Sequence, residues 1–566
     1  MNFIHKILSI FILIFPFFIL LSFFFFFVSF NILFLNFSYF FRWNIYISSF
    51  YVSFPLYFDY ISCIFLGIVL VIRGSILFYS HFYIEAEVYK SRFFYLIFLF
   101  VVSIIFLILC PNFFCMLLGW DGLGLISYCL VIYYQNVKSY SSGIITALTN
   151  RVGDVFILAT IAMFFSIGRW RYINFTNFFN SDFFILIFFI ASLTKSAQVP
   201  FSAWLPAAIA APTPVSSLVH SSTLVTAGVY ILIRFNYFFS EDLKFYLLCI
   251  SLITIVMSGI SGLFEFDLKK IIALSTLRQL GFIIATIRLN YSNLAFFHLI
   301  THASFKALLF ICAGIFIHYF FDNQDIRSFG LINKNFSFSL SIFFVANLSL
   351  CGFPFLSGFF SKDLILELFL LKRRGIIFFS LIFLGTFLTV FYTFRLIFFL
   401  RFKGAFFIPL ETSNNKMGIE FSIIFLFFFS IFLGYFGSVF FLFPFNYIVI
   451  PLNLKLFVSI LCLISFFLCY ILCKNNYLFR RRLVIFFSQI WFLHFLKTDF
   501  IKKYFFRFSF FLSKSITGFV EFFFGFFVYK ELFYISYYLN KMLKSSLVFF
   551  IIFVLSIVSL WILLIF

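Results

Sequence analysis

Long apolar segments recur along almost the whole chain, and they restrict its fold more than any other feature. Runs of about 18 or more apolar residues, each long enough to cross a hydrocarbon core of roughly 30 Å, extend from near the N-terminus to Phe566. Runs of this kind are typical of membrane-spanning helices, whereas the strands of a membrane barrel alternate over about ten residues. The sequence therefore predicts an all-α polytopic membrane protein.

The composition agrees with this fold class. Apolar residues make up 64% of the chain and charged residues only 10%, which excludes a fully water-exposed surface. Phenylalanine fills 110 of the 566 positions, and we attribute this excess to biased codon usage, as in an AT-rich organelle genome. A polar residue inside a span is therefore informative, because base composition alone does not explain it.

The formal charge of +21 is explained best by contact with a membrane surface. Lys and Arg residues concentrate at span ends and in the C-terminal third, which favours loops and anionic lipid headgroups as their environment over nucleic acid. If the spans number fifteen, the distribution of these residues places the N-terminus in the matrix or cytoplasm. The ten cysteines contain no C-x-x-C motif, so neither an iron–sulfur cluster nor a structural zinc site is predicted.

About fifteen spans are predicted, and they divide the chain into five regions. These are an N-terminal span and loop at 1–54, a core of inverted repeats at 55–405, further spans at 406–479, a charged segment at 480–541 and an anchor span at 546–566. In the fourth region, charges recur every few residues among aromatics. Such a pattern is hard to insert across a bilayer and favours a long amphipathic helix lying laterally along the interface.

Prolines interrupt two of the long apolar segments, and each interruption has a lysine nearby. Pro200 follows Lys195 in the first segment, and Pro354 precedes Lys362 in the second. Broken helices at corresponding places of two halves indicate an inverted-repeat transporter with functional groups near mid-membrane. The alternative is that these prolines only kink their helices.

Ionisable residues inside a membrane are costly and are functional candidates for that reason. Asp121, in LLGWDGLGLISY, has apolar residues on both sides, and Lys195 is its expected partner. A buried lysine beside a carboxylate can change its protonation with small changes in geometry, which suits a proton carrier. The alternatives are an Asp121 that caps a glycine-rich kink and a Lys195 that reaches up to the interface.

A line of titratable residues lies further along the chain. His298, His302 and Lys306, in HLITHASFK, are spaced i, i+4 and i+8, within about 80° of one helical face. A hydrated proton path needs such a line, and a zinc site is disfavoured because the lysine would repel the metal. Lys362 and Asp363 would extend the line from Lys306 toward the second break.

Two other residues are weaker candidates. His220 opens HSSTLVTAGVY after the first break, and it is either a proton relay or an ordinary core histidine. Asp154, in NRVGD, lies nearer to the end of a span. Both are kept as candidates for the proton path.

Six motifs resemble the antiporter-like membrane subunits of respiratory complex I, in order, over roughly residues 55–400. They are GWDGLGLISY, NRVGD, KSAQVPFSAWLPAAIAAPTPVSSLVHSSTLVTAGVY, DLKKIIALSTLRQLGF, HLITHASFKALLF and GFPFLSGFFSKD. The lysine at position 362 resembles the residue found at this site in the largest member of the family, whereas another member tends to carry glutamate there. Beyond about residue 410 the resemblance is one of arrangement, with a lateral helix and an anchor span.

The resemblance implies a proton-translocating subunit with an input pair, a central hydrated axis and a terminal site. These would be Asp121 with Lys195; His220, His302 and Lys306; and Lys362 beside Asp363. The family usually has glutamate where Asp121 stands, and the shorter side chain puts the distance to Lys195 in question.

The resemblance further implies where the remaining chemistry takes place. No cofactor or metal is expected in this chain, and NADH, FMN, iron–sulfur clusters and ubiquinone would be bound by partner subunits. The expected partners are other membrane-arm subunits, especially the neighbouring antiporter-like ones, and membrane lipids, in the mitochondrial inner membrane. The alternatives are a subunit of a multisubunit sodium/proton antiporter, and a structural clamp whose channel is inactive.

Overall fold

The computed structural model describes two units of the chain, Met1–Leu493 and His494–Phe566. Within them the described residues are 2–47, 50–84, 87, 89–166, 182–320, 322–329, 336–371, 375–401, 416–442, 451–474, 481–492, 501–543 and 551–559. Helices dominate both units, which confirms the predicted all-α membrane architecture.

The α-helices of the first unit follow the predicted apolar segments. In chain order they are α1 Asn2–Leu35, α2 Tyr60–Tyr83, α3 Lys90–Leu109, α4 Phe113–Val131, α5 Val137–Ser166, α6 Asp182–Lys195, α7 Leu224–Arg234, α8 Glu241–Phe264, α9 Leu268–Arg288, α10 Ser292–Tyr319, α11 Ser337–Cys351, α12 Leu364–Leu371, α13 Ile376–Arg401, α14 Lys416–Leu442, α15 Leu452–Lys474 and α16 Arg481–Ser488. Short helical turns at Trp204–Ala207, Ala208–Ala210 and Thr213–Val215, and π-helical segments at Ser216–Thr223 and Phe359–Asp363, lie around the two breaks.

The number of spans differs slightly from the prediction. Among the described residues, twelve helices are long and apolar enough to cross a membrane. Two shorter apolar helices, Ile185–Lys195 and Ser337–Cys351, precede the two breaks. The predicted last span at 546–566 is described only as a helix over 551–559. The expected architecture is therefore present, although the count of fifteen is not reproduced exactly as full-length spans.

A β-hairpin follows α1, where the sequence analysis predicts a loop. Strand β1, Tyr39–Ile47, pairs antiparallel with strand β2, Phe50–Phe58. Both strands are rich in aromatic and β-branched residues, which favour pleated structure when the apolar run is short. The predicted boundary between residues 54 and 55 falls inside β2, so the natural division comes after the hairpin, at Asp59.

Asp59 caps α2 and ties it to the end of α7. Its carboxylate accepts the backbone N–H of Ser62 at 3.1 Å and forms a two-pronged ion pair with Arg234, with one contact at 2.7 Å. Burial opposes the charged carboxylate, but Arg234 outweighs burial and holds the pKa of Asp59 below its ordinary value. The pair fixes two helix ends that are distant in sequence.

Helix α10 lies at the centre of the first unit. Its apolar window is completely buried, and it packs against α2, α9, α11 and α14. Helices α1 and α14, by contrast, expose large apolar side chains such as Phe17 and Phe432, as expected for surfaces that face lipid. His298, His302 and Lys306 on α10 are therefore held in the interior, away from lipid.

The predicted lateral helix is divided between the two units. Its first part, α16, belongs to the first unit, where Phe487 stacks on Phe264 with ring centroids 5.4 Å apart. Ile490 and Trp491 have φ values of 53° and 56°, and these left-handed conformations end that helix. In the second unit, helix α17 (Ile501–Val520), a π-helical segment and helix α18 (Val528–Leu543) follow one another without interruption.

Candidate functional site

Helix α6 ends at Lys195, where the first break begins. Ala197 has a φ of 54°, a left-handed conformation that no right-handed helix can continue through. The indole N–H of Trp204, on the far side of the break, donates to the carbonyl oxygen of Thr194 at 2.9 Å. A carbonyl that the break would leave without a partner is thus satisfied inside the protein, as a membrane environment requires.

Lys195 is completely buried against α4. Its ammonium donates to the carbonyl oxygen of Trp120 at 2.6 Å and lies 3.7 Å from the centroid of the Trp120 ring. Both contacts favour the cation. Helix α7 packs closely here because Gly228 has no side chain; an added Cβ would lie 2.8 Å from the backbone nitrogen of Ser196. The surrounding helices therefore leave the lysine little room to move.

The direct ion pair predicted between Asp121 and Lys195 is not formed among the described residues. Asp121 instead pairs with Arg151 at 3.9 Å, and the same guanidinium nitrogen lies 3.4 Å from Asp154. The aspartate side chain is short, and the lysine ammonium points to the carbonyl oxygen of the preceding residue, Trp120. This corrects the predicted contact: the candidate site at the first break is a cluster of two carboxylates, Arg151 and Lys195.

Arg151 is a further residue of this cluster, not among the sequence-predicted candidates, although NRVGD contained a signal for it. Arg151 and Asp154 are three residues apart on α5, a spacing that places both side chains on one face. Asp154 is almost buried, whereas the Arg151 side chain is 54% exposed. Lys195 also interacts electrostatically with Asp154 and Asp121. The cluster can therefore exchange partners between a half-exposed cation and a buried one.

The second break is built on glycine. Helix α11 ends at Cys351, and Gly352 adopts a φ of 89°, which a glycine enters without strain. Gly358 approaches the backbone so closely that an added Cβ would lie 1.7 Å from the carbonyl oxygen of Ser349. The π-helical segment Phe359–Asp363 then resumes the helix. Only residues without a side chain fit this crossing.

Lys362 is held by the backbone, as Lys195 is. Its ammonium donates to the carbonyl oxygens of Leu350 at 3.3 Å and Cys351 at 3.0 Å, and to the hydroxyl of Thr389 at 3.4 Å. These carbonyls form the C-terminal end of α11, where the helix dipole favours a cation. The neighbouring Asp363 is half-buried. The second break therefore provides a ready site for a charged lysine.

The three predicted residues of α10 form the central part of the site. His298, His302 and Lys306 are each 1% exposed or less, and the two imidazole centroids are 6.4 Å apart. The Lys306 ammonium donates to the hydroxyl of Ser275 on α9. Neither ring nitrogen of His302 has a hydrogen-bond partner among the described residues. A histidine in this state can accept or donate a proton through either nitrogen.

The central axis meets the second break at His298, which corrects the expected order of residues. Nδ1 of His298 lies 2.9 Å from the hydroxyl of Ser361, the residue before Lys362, and Nε2 lies 3.4 Å from Oε1 of Gln279 on α9. The spacing along the chain had suggested Lys306 as the neighbour of Lys362. The packing of the π-helical segment on α10 decides otherwise, and small polar residues such as Ser361 carry no periodic signal.

His220 lies within the π-helical segment Ser216–Thr223, and its side chain falls outside the described residues. The segment packs against α10, so a place for His220 in the axis stays a prediction. Among the described side chains, no group of three or more His, Cys, Asp or Glu residues could hold a metal ion.

Comparison with known proteins gives two family matches that together cover most of the chain. Residues 110–391 match the family described as NADH:quinone oxidoreductase/Mrp antiporter, TM, and residues 392–566 match the NADH dehydrogenase subunit 5 C-terminus. NADH-ubiquinone oxidoreductase chain 5 of Aedes aegypti is 44% identical over 473 residues, which cover 81% of this chain and 82% of the relative. The corresponding protein of Locusta migratoria is 43% identical over 487 residues, or 84% and 85% of the two chains.

Two solved structures share the fold. A chain of the Mrp complex from Dietzia sp. DQ12-45-1b matches with a TM-score of 0.66 at 23% identity; the match covers 81% of this chain and 53%, or about half, of that one. A chain of the membrane-bound sulfane sulfur reductase, an archaeal respiratory membrane complex, matches with a TM-score of 0.62 at 19% identity, over 70% and 68% of the two chains. The structural matches show only the fold, whereas the sequence matches are specific enough to assign the family: the chain belongs to the NADH-ubiquinone oxidoreductase chain 5 family.

Proposed function

We propose that this chain, a multi-pass subunit of mitochondrial complex I, moves protons across the inner membrane through the residues between and around its two helix breaks. One observation carries the proposal: a series of buried ionisable side chains, centred on α10, extends through a protein that is otherwise apolar. Such residues are costly in a membrane and mark ion or proton pathways.

The cluster at the first break acts as the input. The Asp121 and Asp154 carboxylates pair with Arg151 and also act on Lys195. A perturbation that moves the carboxylates toward Lys195 stabilises its protonated form, and a movement toward Arg151 does the opposite. The position of the carboxylates thus sets the charge at the start of the central axis.

The central and terminal groups transfer the proton. Hydroxyl groups both donate and accept hydrogen bonds, so Ser275 beside Lys306 and Ser361 beside His298 link the ionisable groups to their surroundings. The proton passes along α10 between Lys306 and His298 and leaves through Lys362 and Asp363. His220 joins this axis from the π-helical segment.

The redox chemistry of the complex takes place in other subunits. We place NADH, FMN, the iron–sulfur clusters and ubiquinone there, and we assign this chain the proton path alone. Neighbouring antiporter-like subunits and membrane lipids are its proposed contacts. High identity to chain 5 relatives supports this function over that of a sodium/proton antiporter subunit.

The test uses complex I in inner-membrane vesicles that carry Lys195→Ala or Lys306→Ala. We expect normal assembly and a loss of proton pumping of at least about tenfold per NADH oxidised, since a proton-transfer group is removed. Lys514→Ala, an exposed lysine on α17, is the matched control and pumps normally. Normal pumping by both assembled variants would sink the proposal and favour a structural clamp, and sodium-dependent transport without NADH oxidation would favour the antiporter.

A further inference from the structure

Arg278 on α9 is a buried charge that the proposed path does not use. It is completely buried, and none of its three guanidinium nitrogens forms a well-aligned hydrogen bond with a described residue, although the Tyr392 side chain interacts with it. Its guanidinium carbon lies 6.0 Å from the ring centroid of Tyr392 on α13, at the outer limit of a cation–π contact. Burying a charge with so little compensation is costly, so its position requires a physical explanation.

Helix α9 contacts the central axis through residues on both sides of Arg278. One turn earlier, Ser275 accepts a hydrogen bond from Lys306, and the next residue, Gln279, contacts His298. Residues 275, 278 and 279 are spaced i, i+3 and i+4, so they share one face of α9. The guanidinium group is therefore directed toward the axis, between its two ends.

Helix α13 contacts both Arg278 and the terminal site at Lys362. A Cβ added at Gly385 would lie 4.0 Å from Nε of Arg278. One turn later, Thr389 contacts the ammonium of Lys362 at 3.4 Å. Helix α8 meets this part of the site with Thr254 and Ile255, which do not titrate. Arg278 thus lies between the central lysine and the terminal one.

The groups that interact electrostatically with Arg278 come from every side of it. They are His298 and Lys306 on α10, Cys351 on α11, Lys362 on the π-helical segment, Tyr392 on α13 and Cys462 on α15. None of these described groups is a carboxylate; the acid in the terminal site, Asp363, acts on Lys362. The set therefore combines one permanent cation with two lysines that can each hold a proton.

We propose that Arg278 is a positioning residue for proton transfer, a fixed positive charge that weakens proton binding at both Lys306 and Lys362. This inference rests on the proposed function. Arginine stays charged in proteins, and repulsion between like charges is strong where water is excluded. Each lysine therefore releases its proton more readily than it would without Arg278, so protons move onward and do not accumulate.

The test measures protons pumped per NADH oxidised as a function of pH, in vesicles that carry assembled complex I with Arg278→Gln. Removing the fixed charge stabilises the protonated neighbours, so the alkaline decline of pumping shifts upward by about one pH unit, equivalent to about tenfold in proton affinity. Arg278→Lys keeps the charge and returns the profile toward that of the unmodified protein. A purely structural role would change the amount of complex without moving the profile.

Arg73→Gln is the matched control. Arg73 is also completely buried, has no hydrogen-bond partner among the described residues, and lies 4.6 Å from the ring centroid of Phe100. Unlike Arg278, it interacts with no ionisable group among the described residues. Its loss leaves the profile unmoved. If Arg278→Gln does not assemble, Gln279→Glu places a negative charge on the same face with little change in shape, and we expect the same upward shift.

An unmoved profile in assembled Arg278→Gln overturns the inference, as does an equal shift in Arg73→Gln. If Arg278→Gln does not assemble, an unmoved profile in Gln279→Glu overturns it equally. These results are distinct from failure of the proposed function, which shows as normal pumping by Lys306→Ala. If Lys306→Ala abolishes pumping and Arg278→Gln leaves the pH profile of pumping unmoved, the role assigned to Arg278 is rejected and the proposed function stands.

Discussion

The two helix breaks hold their lysines in a similar way but surround them with different charges. Lys195 ends the helix before the first break, and Lys362 lies in the segment after the second; both are buried and both donate to backbone carbonyl oxygens. Two carboxylates and a half-exposed arginine accompany the first lysine. A histidine, a fully buried arginine and one half-buried carboxylate accompany the second.

This difference indicates two kinds of electrostatic control. At the first break, the Arg151 side chain is 54% exposed at the surface of the chain, so it has room to move and its ion pairs can rearrange. At the second break, Arg278 is completely buried and its repulsion acts at full strength. One break is suited to receive a signal through exchange of partners, and the other is suited to drive a proton out.

The largest expected effect concerns the backbone of the second break. Gly358→Ala would place a Cβ 1.7 Å from the carbonyl oxygen of Ser349, and the break cannot form without moving a helix. We expect at least about tenfold less assembled complex, measured on native gels, since such overpacking costs about 1–3 kcal/mol or more. Gly228→Ala, with its tightest contacts at 2.8 Å, causes a smaller loss, and Gly518→Ala, in open space on α17, causes none. Equal assembly of all three would show that the breaks are not rigid.

An intermediate effect is expected from the cation at the first break. Arg151→Gln removes the partner that both carboxylates share, so they bind Lys195 more tightly and slow its deprotonation. We expect pumping to fall about fivefold, the equivalent of about 1 kcal/mol for a partly exposed ion pair. Arg507→Gln, an exposed arginine on α17, is the control. A normal pumping rate in Arg151→Gln would place control of the first break elsewhere.

The smallest effect is expected from restoring the longer acid. Asp121→Glu adds one methylene and extends the carboxylate without changing its charge, so pumping should stay within about twofold of the starting value, as for a small change in a partly exposed ion pair. Asp121→Asn removes the charge and should reduce pumping more. The comparison is made in vesicles at matched assembly. If the glutamate and asparagine variants behave alike, the length of the side chain matters more than its charge.

Much of the fold follows from hydropathy. The helices α2 to α5 and α8 to α10 lie within a few residues of the predicted apolar segments, because a bilayer imposes length and apolarity on each segment separately. The hairpin at Tyr39–Phe58 was missed because a short aromatic run does not distinguish a strand from a helix. The end of α16 was missed because left-handed residues such as Ile490 and Trp491 leave no signal in a pattern of charges and aromatics.

The candidate site, like the fold, was predicted in part from the sequence and in part decided by packing. By itself the sequence determined that His298, His302 and Lys306 enter the membrane and that Lys195 and Lys362 lie beside helix breaks, because cost of burial and proline chemistry are local properties. Only the tertiary structure decided which residues meet. Lys195 contacts the carbonyl oxygen of Trp120 rather than Asp121, and His298 rather than Lys306 contacts the second break. Contacts between distant helices depend on how their surfaces pack, and neither spacing nor composition encodes that packing.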